Sequence, residues 1–261
     1  MSWRVIRAAV AGTSHVRDQL PCQDSCVTAS YPLPGGGEAL IVAVADGAGS
    51  AQFGGRGAQL ACEIACDHMV SRLAAAEWRP PLQSQVAEWF ASVRGALEAT
   101  ALAEALPLRE LATTLLLLLV LPQGAAYGHI GDGGIAVDHG AGLELVFWPQ
   151  AGEYANMTRF ITDADALEHV RVVVTESVPD ELALFTDGIQ RLALDFKSCA
   201  VHAPFFAPMM AVLRGQPPAQ CAVLEAQLAV FLDSAKVNSR TDDDKTLVLA
   251  SRRLEPATHS G

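Results

Sequence analysis

Positive charge is scarce in this sequence, and no apolar run is long enough to cross a membrane. Lys and Arg together number 18 against 29 Asp and Glu, for a formal net charge of −11 and a pI near 5.0. A phosphate backbone is repelled by such a chain, which argues against nucleic-acid binding through bulk electrostatics. Arg252-Arg253 is the only adjacent basic pair. The most apolar stretch, Leu115 to Leu121, falls far short of the ~20 residues a spanning helix needs and reads as a buried strand. The segment Met1 to Arg7 lacks the apolar core of a secretory signal. Cysteines number six, and the pairs Cys22/Cys26 and Cys62/Cys66 are spaced four apart rather than in the tighter C-x-x-C spacing of zinc sites. Cys62 and Cys66 instead fit an alanine-rich helical pattern as small buried hydrophobes. Internal repeats and an evident linker are both missing. The expectation is a cytoplasmic chain with reduced thiols, no membrane or nucleic-acid partner, and no obligate assembly, hence a monomer.

What the chain does have is apolar patterning sufficient for a sizeable core, with 51% of residues hydrophobic. Short strands are expected at Ala8–Val10 and Cys26–Ser30, around a loop that carries Asp24. The run Pro32-Leu33-Pro34-Gly35-Gly36-Gly37 is a turn, followed by a buried strand over Glu38–Ala45. Helices are predicted at about Gln59–Ala75 and Leu82–Ala105, separated by Pro80-Pro81, with Trp89, Val93 and Leu97 on one face of the second. Four β segments come next, over Ala112–Leu121, Ala125–Ile130, Ile135–His139 and Leu143–Trp148, with glycine in each turn, and they read as a meander. Further strands are expected at Val170–Thr175, Glu181–Phe185 and Leu247–Ala250, and a helix at Ala219–Ala235. Strands outnumber helices, and helices come in adjacent pairs, which suits sheet packed on sheet with helices outside. One α+β domain over residues 1–254 is expected, with 255–261 a disordered tail.

Five acidic motifs close or interrupt these apolar runs. They are Cys22-Gln23-Asp24, Ala45-Asp46-Gly47-Ala48-Gly49, Gly131-Asp132-Gly133-Gly134, Thr186-Asp187-Gly188 and Asp242-Asp243-Asp244-Lys245-Thr246. Aspartates at strand ends face the solvent where loops gather, and several together make a hard, oxygen-rich site suited to magnesium or manganese rather than zinc. Asp24, Asp46, Asp187 and Asp243, if they converge, would hold two divalent ions and activate a water for attack on phosphorus. Gly47 would let the backbone approach a metal, so that its carbonyl serves as a ligand. No covalent protein nucleophile is needed for such a reaction, and Ser14 and Ser25 have no base partner in the sequence.

The segments QDS, VADGAGS, ATTLLLL, GHIGDGG, LFTDGI and DDKTLVL, in that order from Gly12 to Ala250, resemble the metal-dependent serine/threonine phosphatases of the protein phosphatase 2C (PPM) family, most closely its compact bacterial branch. The resemblance implies a β-sandwich of two antiparallel sheets flanked by pairs of antiparallel helices, with a binuclear Mn2+ or Mg2+ centre at one end. It implies hydrolysis of phosphoserine and phosphothreonine in proteins by a metal-bridging hydroxide, and a cognate kinase or its targets as partners. Carried over by position, Asp46 resembles the bridging ligand, Gly47 the backbone ligand, and Asp187 and Asp243 the other direct ligands. Asp24 would act through water, and Asp132 with Asp187 would help hold a third, weaker ion. Asp244 stands where the family has asparagine, and Thr246 matches its threonine.

Three departures accompany the match. The family's phosphate-binding arginine falls at Gln19, which leaves Arg17, two residues earlier, or His15 for that role. The histidine that is a general acid in some members is Ala48, and the usual second glycine is Ser50. Gln19 and Ala48 motivate an alternative, a catalytically weak phosphoprotein-binding regulatory module of the same fold; a third reading is hydrolysis of a small phosphorylated metabolite. Ordinary structural roles are expected elsewhere: Thr113-Thr114 for packing and strand register, His129 as a core or rim histidine, His139 as a solvated turn residue, and Trp78, Trp89 and Trp148 for packing. Arg56, beside a glycine-rich helix start, is either a solvated arginine or an anion contact.

Overall fold

The computed structural model describes residues 2–148 and 158–253. The proposed tail at 255–261 lies outside them. Strand β1 (Ser2–Val10) leads through a short helix α1 (Thr13–Arg17) into β2 (Asp24–Pro32) and β3 (Glu38–Asp46). Two long helices follow, α2 (Gly54–Ala75) and α3 (Gln83–Ala103), and then β4 (Leu115–Leu121), β5 (Gly124–Ile130), β6 (Gly134–Asp138) and β7 (Leu143–Leu145). A turn of helix α4 (Ala166–His169) precedes β8 (Arg171–Thr175) and β9 (Glu181–Phe185). After α5 (Gln190–Ala193) and the small ribbon of β10 (Leu194–Asp195) and β11 (Ala200–Val201) come α6 (Ala203–Gly215), α7 (Cys221–Leu232) and α8 (Ala235–Asn238). Strand β12 (Lys245–Arg253) closes the fold.

Two five-stranded sheets result, ordered β1-β12-β9-β6-β7 and β2-β3-β4-β5-β8, with every pairing antiparallel. They pack face to face. Leu40, Val42, Leu116 and Leu118 of one sheet meet Leu182, Leu184 and Val248 of the other. The alternate residues point the opposite way. Ile41, Ala43, Leu117 and Leu119 pack on Ala61, Ala65, Met69, Phe90 and Val93 of α2 and α3. Phe185, Leu247 and Leu249 pack on Phe206, Met210, Leu224 and Leu228 of α6 and α7. Both faces of the central strands are therefore buried, which is why Leu115–Leu121 reads as an unbroken apolar run instead of an alternating one. Cys62 and Cys66 lie in the buried face of α2, as small hydrophobes. Among the described residues, no helix is long and apolar enough to cross a membrane.

Two sequence expectations are corrected. The four β segments after α3 are not one meander: β4 and β5 lie in one sheet, β6 and β7 in the other. The chain crosses between sheets at Gly131–Gly133. Gly131 has φ +114°, and a Cβ there would lie 2.5 Å from the Thr114 side chain. The turn is therefore one that only glycine makes without strain. The proline-rich stretch after Gly188 also contains a helix that was not anticipated, α6. Pro204 occupies its first turn, where no backbone donor is lost, and only Pro208 is interior. Burial of Phe206, Met210 and Leu213 against the sheet offsets that interior proline. Elsewhere the expected elements differ in extent, and the short α1, α4, α5, α8 and the β10–β11 ribbon lie outside the sequence expectations. β1 begins at Ser2, β2 begins at Asp24 itself, and α2 begins at Gly54.

Candidate active site

Strand register brings the acidic motifs to one end of the sandwich. In one sheet, Asp24 at the start of β2 pairs directly with Asp46 at the end of β3, and Leu115 pairs with Ile130 beside them. In the other, Val10 pairs with Lys245, Leu247 with Phe185, and Phe185 with Gly134. The residues just beyond these pairs are Gly12, Asp243, Asp187 and Asp132. Side chains from both sheets then meet across the gap. Thr186 Oγ1 donates to Asp24 Oδ2 at 2.8 Å and accepts from the Thr246 backbone N–H at 3.0 Å.

Asp46 is held by its backbone. Its N–H donates to Thr114 Oγ1 at 2.9 Å, and its carbonyl accepts from Thr113 Oγ1 at 2.8 Å. The expected register role of these threonines is thus specific: they fix the strand end that carries Asp46. Gly47 donates to the Gln23 carbonyl at 3.1 Å, and a Cβ on it would lie 2.2 Å from the Gly54 backbone. Gly188 is tighter still, since its Cβ would fall 1.7 Å from the Asp244 carbonyl oxygen. That close approach sets the turn of Asp187 against the Asp243-Asp244 loop.

The carboxylates crowd one another. Burial, opposed by the Thr186 hydroxyl and augmented by Asp244 and Asp187, pushes Asp24 up to about 8. Burial, then the Asp24 and Asp187 charges, holds Asp46 well above the usual carboxylate range. Asp187 rises to about 6, through burial first and Asp132 second. Asp243 adds to the repulsion felt by both Asp46 and Asp187. Oδ1 of Asp24 and Oδ1 of Asp187 are buried and have no hydrogen-bond partner among the described residues. Buried acceptors without donors, in a set made entirely of oxygen, fit a hard divalent cation. Among the described residues, no three His, Cys, Asp or Glu side chains close into a cage. Magnesium-type ions take only one or two carboxylates and keep several waters, so an open rim suits them better than a cage.

Not every candidate joins this cluster. Asp132 lies at its edge, accepting from Thr158 Oγ1 at 2.5 Å while its carbonyl accepts from Gln190 Nε2 at 2.8 Å. Arg17 is exposed on α1 and paired with its neighbour Asp18 at 2.9 Å. Gln19 ends that helix in the left-handed region, at φ +58°. His15 Nδ1 lies 2.8 Å from Asp244 Oδ1. Arg56 pairs with Glu104 and ties α2 to the end of α3, so it is a structural arginine. His129 is buried, with Nε2 at 3.0 Å from the Gly133 carbonyl, and burial followed by Arg171 lowers it to about 4, as suits a core histidine.

Two contributions were not foreseen. Thr186 is the cross-sheet link to Asp24. Asp244 is buried, and its carboxylate accepts from the backbone N–H of Gly12 at 2.6 Å and of Gln23 at 2.5 Å as well as facing His15. It pins the loops before Asp24 to the loop after Asp243. A run of three aspartates gave no sign of which member was buried.

The protein phosphatase 2C family profile matches residues 11–233. The chain belongs to this family. Serine/threonine-protein phosphatase 3 of Escherichia coli (strain K12) is 44% identical over 251 residues, which span 96% of this chain and 98% of that protein. Among solved structures, the catalytic domain of the serine/threonine protein phosphatase PstP in complex with two manganese ions superposes with a TM-score of 0.60 at 18% identity, covering 95% of this chain and 97% of that one. The serine/threonine phosphatase Stp1 from Staphylococcus aureus gives 0.59 at 14% identity, covering 96% and 95%. At such identities these structures speak for the fold alone. They share the protein phosphatase 2C sandwich, and its two-sheet architecture is the one described above.

Proposed function

We propose that this protein phosphatase 2C member hydrolyses phosphoserine and phosphothreonine in proteins, at a two-ion Mn2+ or Mg2+ centre, from a single catalytic domain spanning 1–254 in the cytoplasm. Asp46, Asp187, Asp243 and the Gly47 carbonyl would hold the two ions, Asp24 would act through water, and Asp132 with Asp187 would hold a third, weaker ion. Bound ions supply charge neutralisation at the phosphoryl group and a water of lowered pKa. The observation that carries the reading is the pair of buried oxygens without a hydrogen-bond partner among the described residues, Asp24 Oδ1 and Asp187 Oδ1, within a set of mutually repelling carboxylates. The family match and the name of the 44% identical relative support the substrate class.

The chain's own residues prepare the site. Thr186 occupies one oxygen of Asp24 and leaves the other available. Thr113 and Thr114 fix the Asp46 backbone, and Asp244 locks the flanking loops. Arg17 is the phosphate-contact candidate. Its pair with Asp18 is exposed, and exposed pairs contribute little that a stronger anion would have to displace. Calorimetric titration of Mn2+ into chelator-stripped protein tests the metal assignment. Strong binding in the wild type and its loss in Asp46→Asn are expected; equal binding in both would overturn the assignment.

A further inference from the structure

A trough of about 670 Å3 lies on the far side of the β1-β12-β9-β6-β7 sheet, between α6, α7 and α8. Its apolar lining includes Ile6, Phe205, Met209 and Leu228, and Val212 at its wall is 48% exposed. Arg191, His202, Lys236 and Arg240 also line it, with no acidic residue among its described lining groups. Arg191, Lys236 and Arg240 form no ion pair with a described residue. In a chain of net charge −11, a concentration of unpaired cations at one apolar concavity is a local reversal of sign. It costs self-repulsion unless an anion covers it.

The trough adjoins the acidic rim. Gln190 Nε2 is bonded to the Asp132 carbonyl, and the next residue, Arg191, lines the trough. Arg240 comes three residues before Asp243. Ile6 lies four residues along β1 from Val10, which pairs with Lys245 at the rim. At ~3.3 Å per strand residue the trough floor reaches about 13 Å from that end.

We propose that this trough docks an amphipathic segment of the phosphoprotein substrate, apolar on one face and acidic at its margins, while the phosphoresidue occupies the carboxylate rim. The proposal rests on the phosphatase reading above. The lining matches a helix-in-groove mode, in which apolar anchors enter the trough and charges at its edge set orientation. It also answers an electrostatic difficulty. A phosphorylated acidic protein is repelled by the chain as a whole, and the cationic trough is a place beside the rim where it is attracted. A tether is required: the ~13 Å span needs about four extended residues or more between docking segment and phosphoresidue.

The test uses the full chain and synthetic phosphothreonine peptides. One has a short neutral flank. A second adds a helix-forming Leu/Glu segment through a linker of about six residues, and a third carries Lys in place of Glu. The Leu/Glu peptide is expected to have a KM roughly tenfold lower than the short one with kcat unchanged, the gain disappearing with Lys and with a linker of about two residues. Separately, fluorescence anisotropy of the labelled, unphosphorylated Leu/Glu segment is expected to report binding that weakens at least about fivefold in the exposed-site double variant Val212→Glu, Lys236→Glu. Equal KM for the acidic and basic flanks, or anisotropy indifferent to the double variant, would overturn the docking proposal. Absence of turnover for every peptide would count against the phosphatase reading instead, and the anisotropy would still decide whether the trough binds an acidic amphipathic segment.

Discussion

Asp46 and Asp24 stand side by side across two antiparallel strands, a placement that a metal-free protein tolerates poorly. Asp46→Asn and Asp187→Asn are predicted to lower metal-dependent turnover by more than ~100-fold, since even residues that only orient metal ligands cost 10–100-fold in affinity. Circular dichroism should show the fold retained. The raised acids also give a pH dependence. Asp24 titrates near 8 and Asp187 near 6 in the fold, above the ordinary 3.8 of each. Between about pH 4 and pH 8 the unfolded chain has released protons that the folded one retains, so stability falls as pH rises through that window. Melting of chelator-stripped protein from pH 4.5 to 8, values chosen at about the edges of that window, is expected to show the decline, and Asp24→Asn to flatten it. A flat wild-type profile would contradict the crowding described here. At this scale the sequence was informative about which carboxylates gather at one end of the sandwich, because Asp46 and Asp187 each stand between an apolar strand and glycine. It was silent on the burial of Asp244, which depends on loops far away in the chain, and on the turn of the Arg17 side chain to Asp18.

Thr186 joins two elements that the sequence keeps apart, β9 and β2. Replacing it with the isosteric valine leaves Asp24 Oδ2 without its donor and the Thr246 N–H without its acceptor. The predicted loss is about 1–3 kcal/mol, measured by urea unfolding, and serine should restore most of it. Gly188→Ala is predicted to cost about 1–3 kcal/mol as well, because its Cβ meets the Asp244 carbonyl and one loop must move. That movement displaces Asp187 from Asp243, so Mn2+ affinity should fall alongside stability. Strands were legible as elements because their apolar runs are long and bounded by glycine or proline. Their partners were not. The Gly131–Gly133 turn reads like a hairpin, but strand pairing shows that the chain changes sheet there, where Gly133 packs closely on the Phe185 carbonyl. Helix α6 was hidden by Pro204 and Pro208, whose cost is set by a buried face the sequence displays only once the sheet is in place.

For the whole molecule, the sandwich core and the acidic rim are one construction. Strands β3 and β9, which bury Leu40, Val42 and Leu184 between the sheets, deliver Asp46 and Asp187 to their shared end, where β2 begins at Asp24. Leu118→Ala, at the fully buried centre, is predicted to cost about 2–5 kcal/mol in urea unfolding while leaving Mn2+ affinity per folded molecule intact. The layered α+β architecture followed from strand and helix order together with composition. The face on which the second helix pair lies, and the trough it forms, needed three-dimensional packing to appear. The most direct test of the central claim is phosphate release from a phosphothreonine peptide by chelator-stripped protein, before and after Mn2+ is restored. Turnover that is absent without metal and returns with it is the predicted result; metal-independent turnover, or none despite tight Mn2+ binding, would contradict the account.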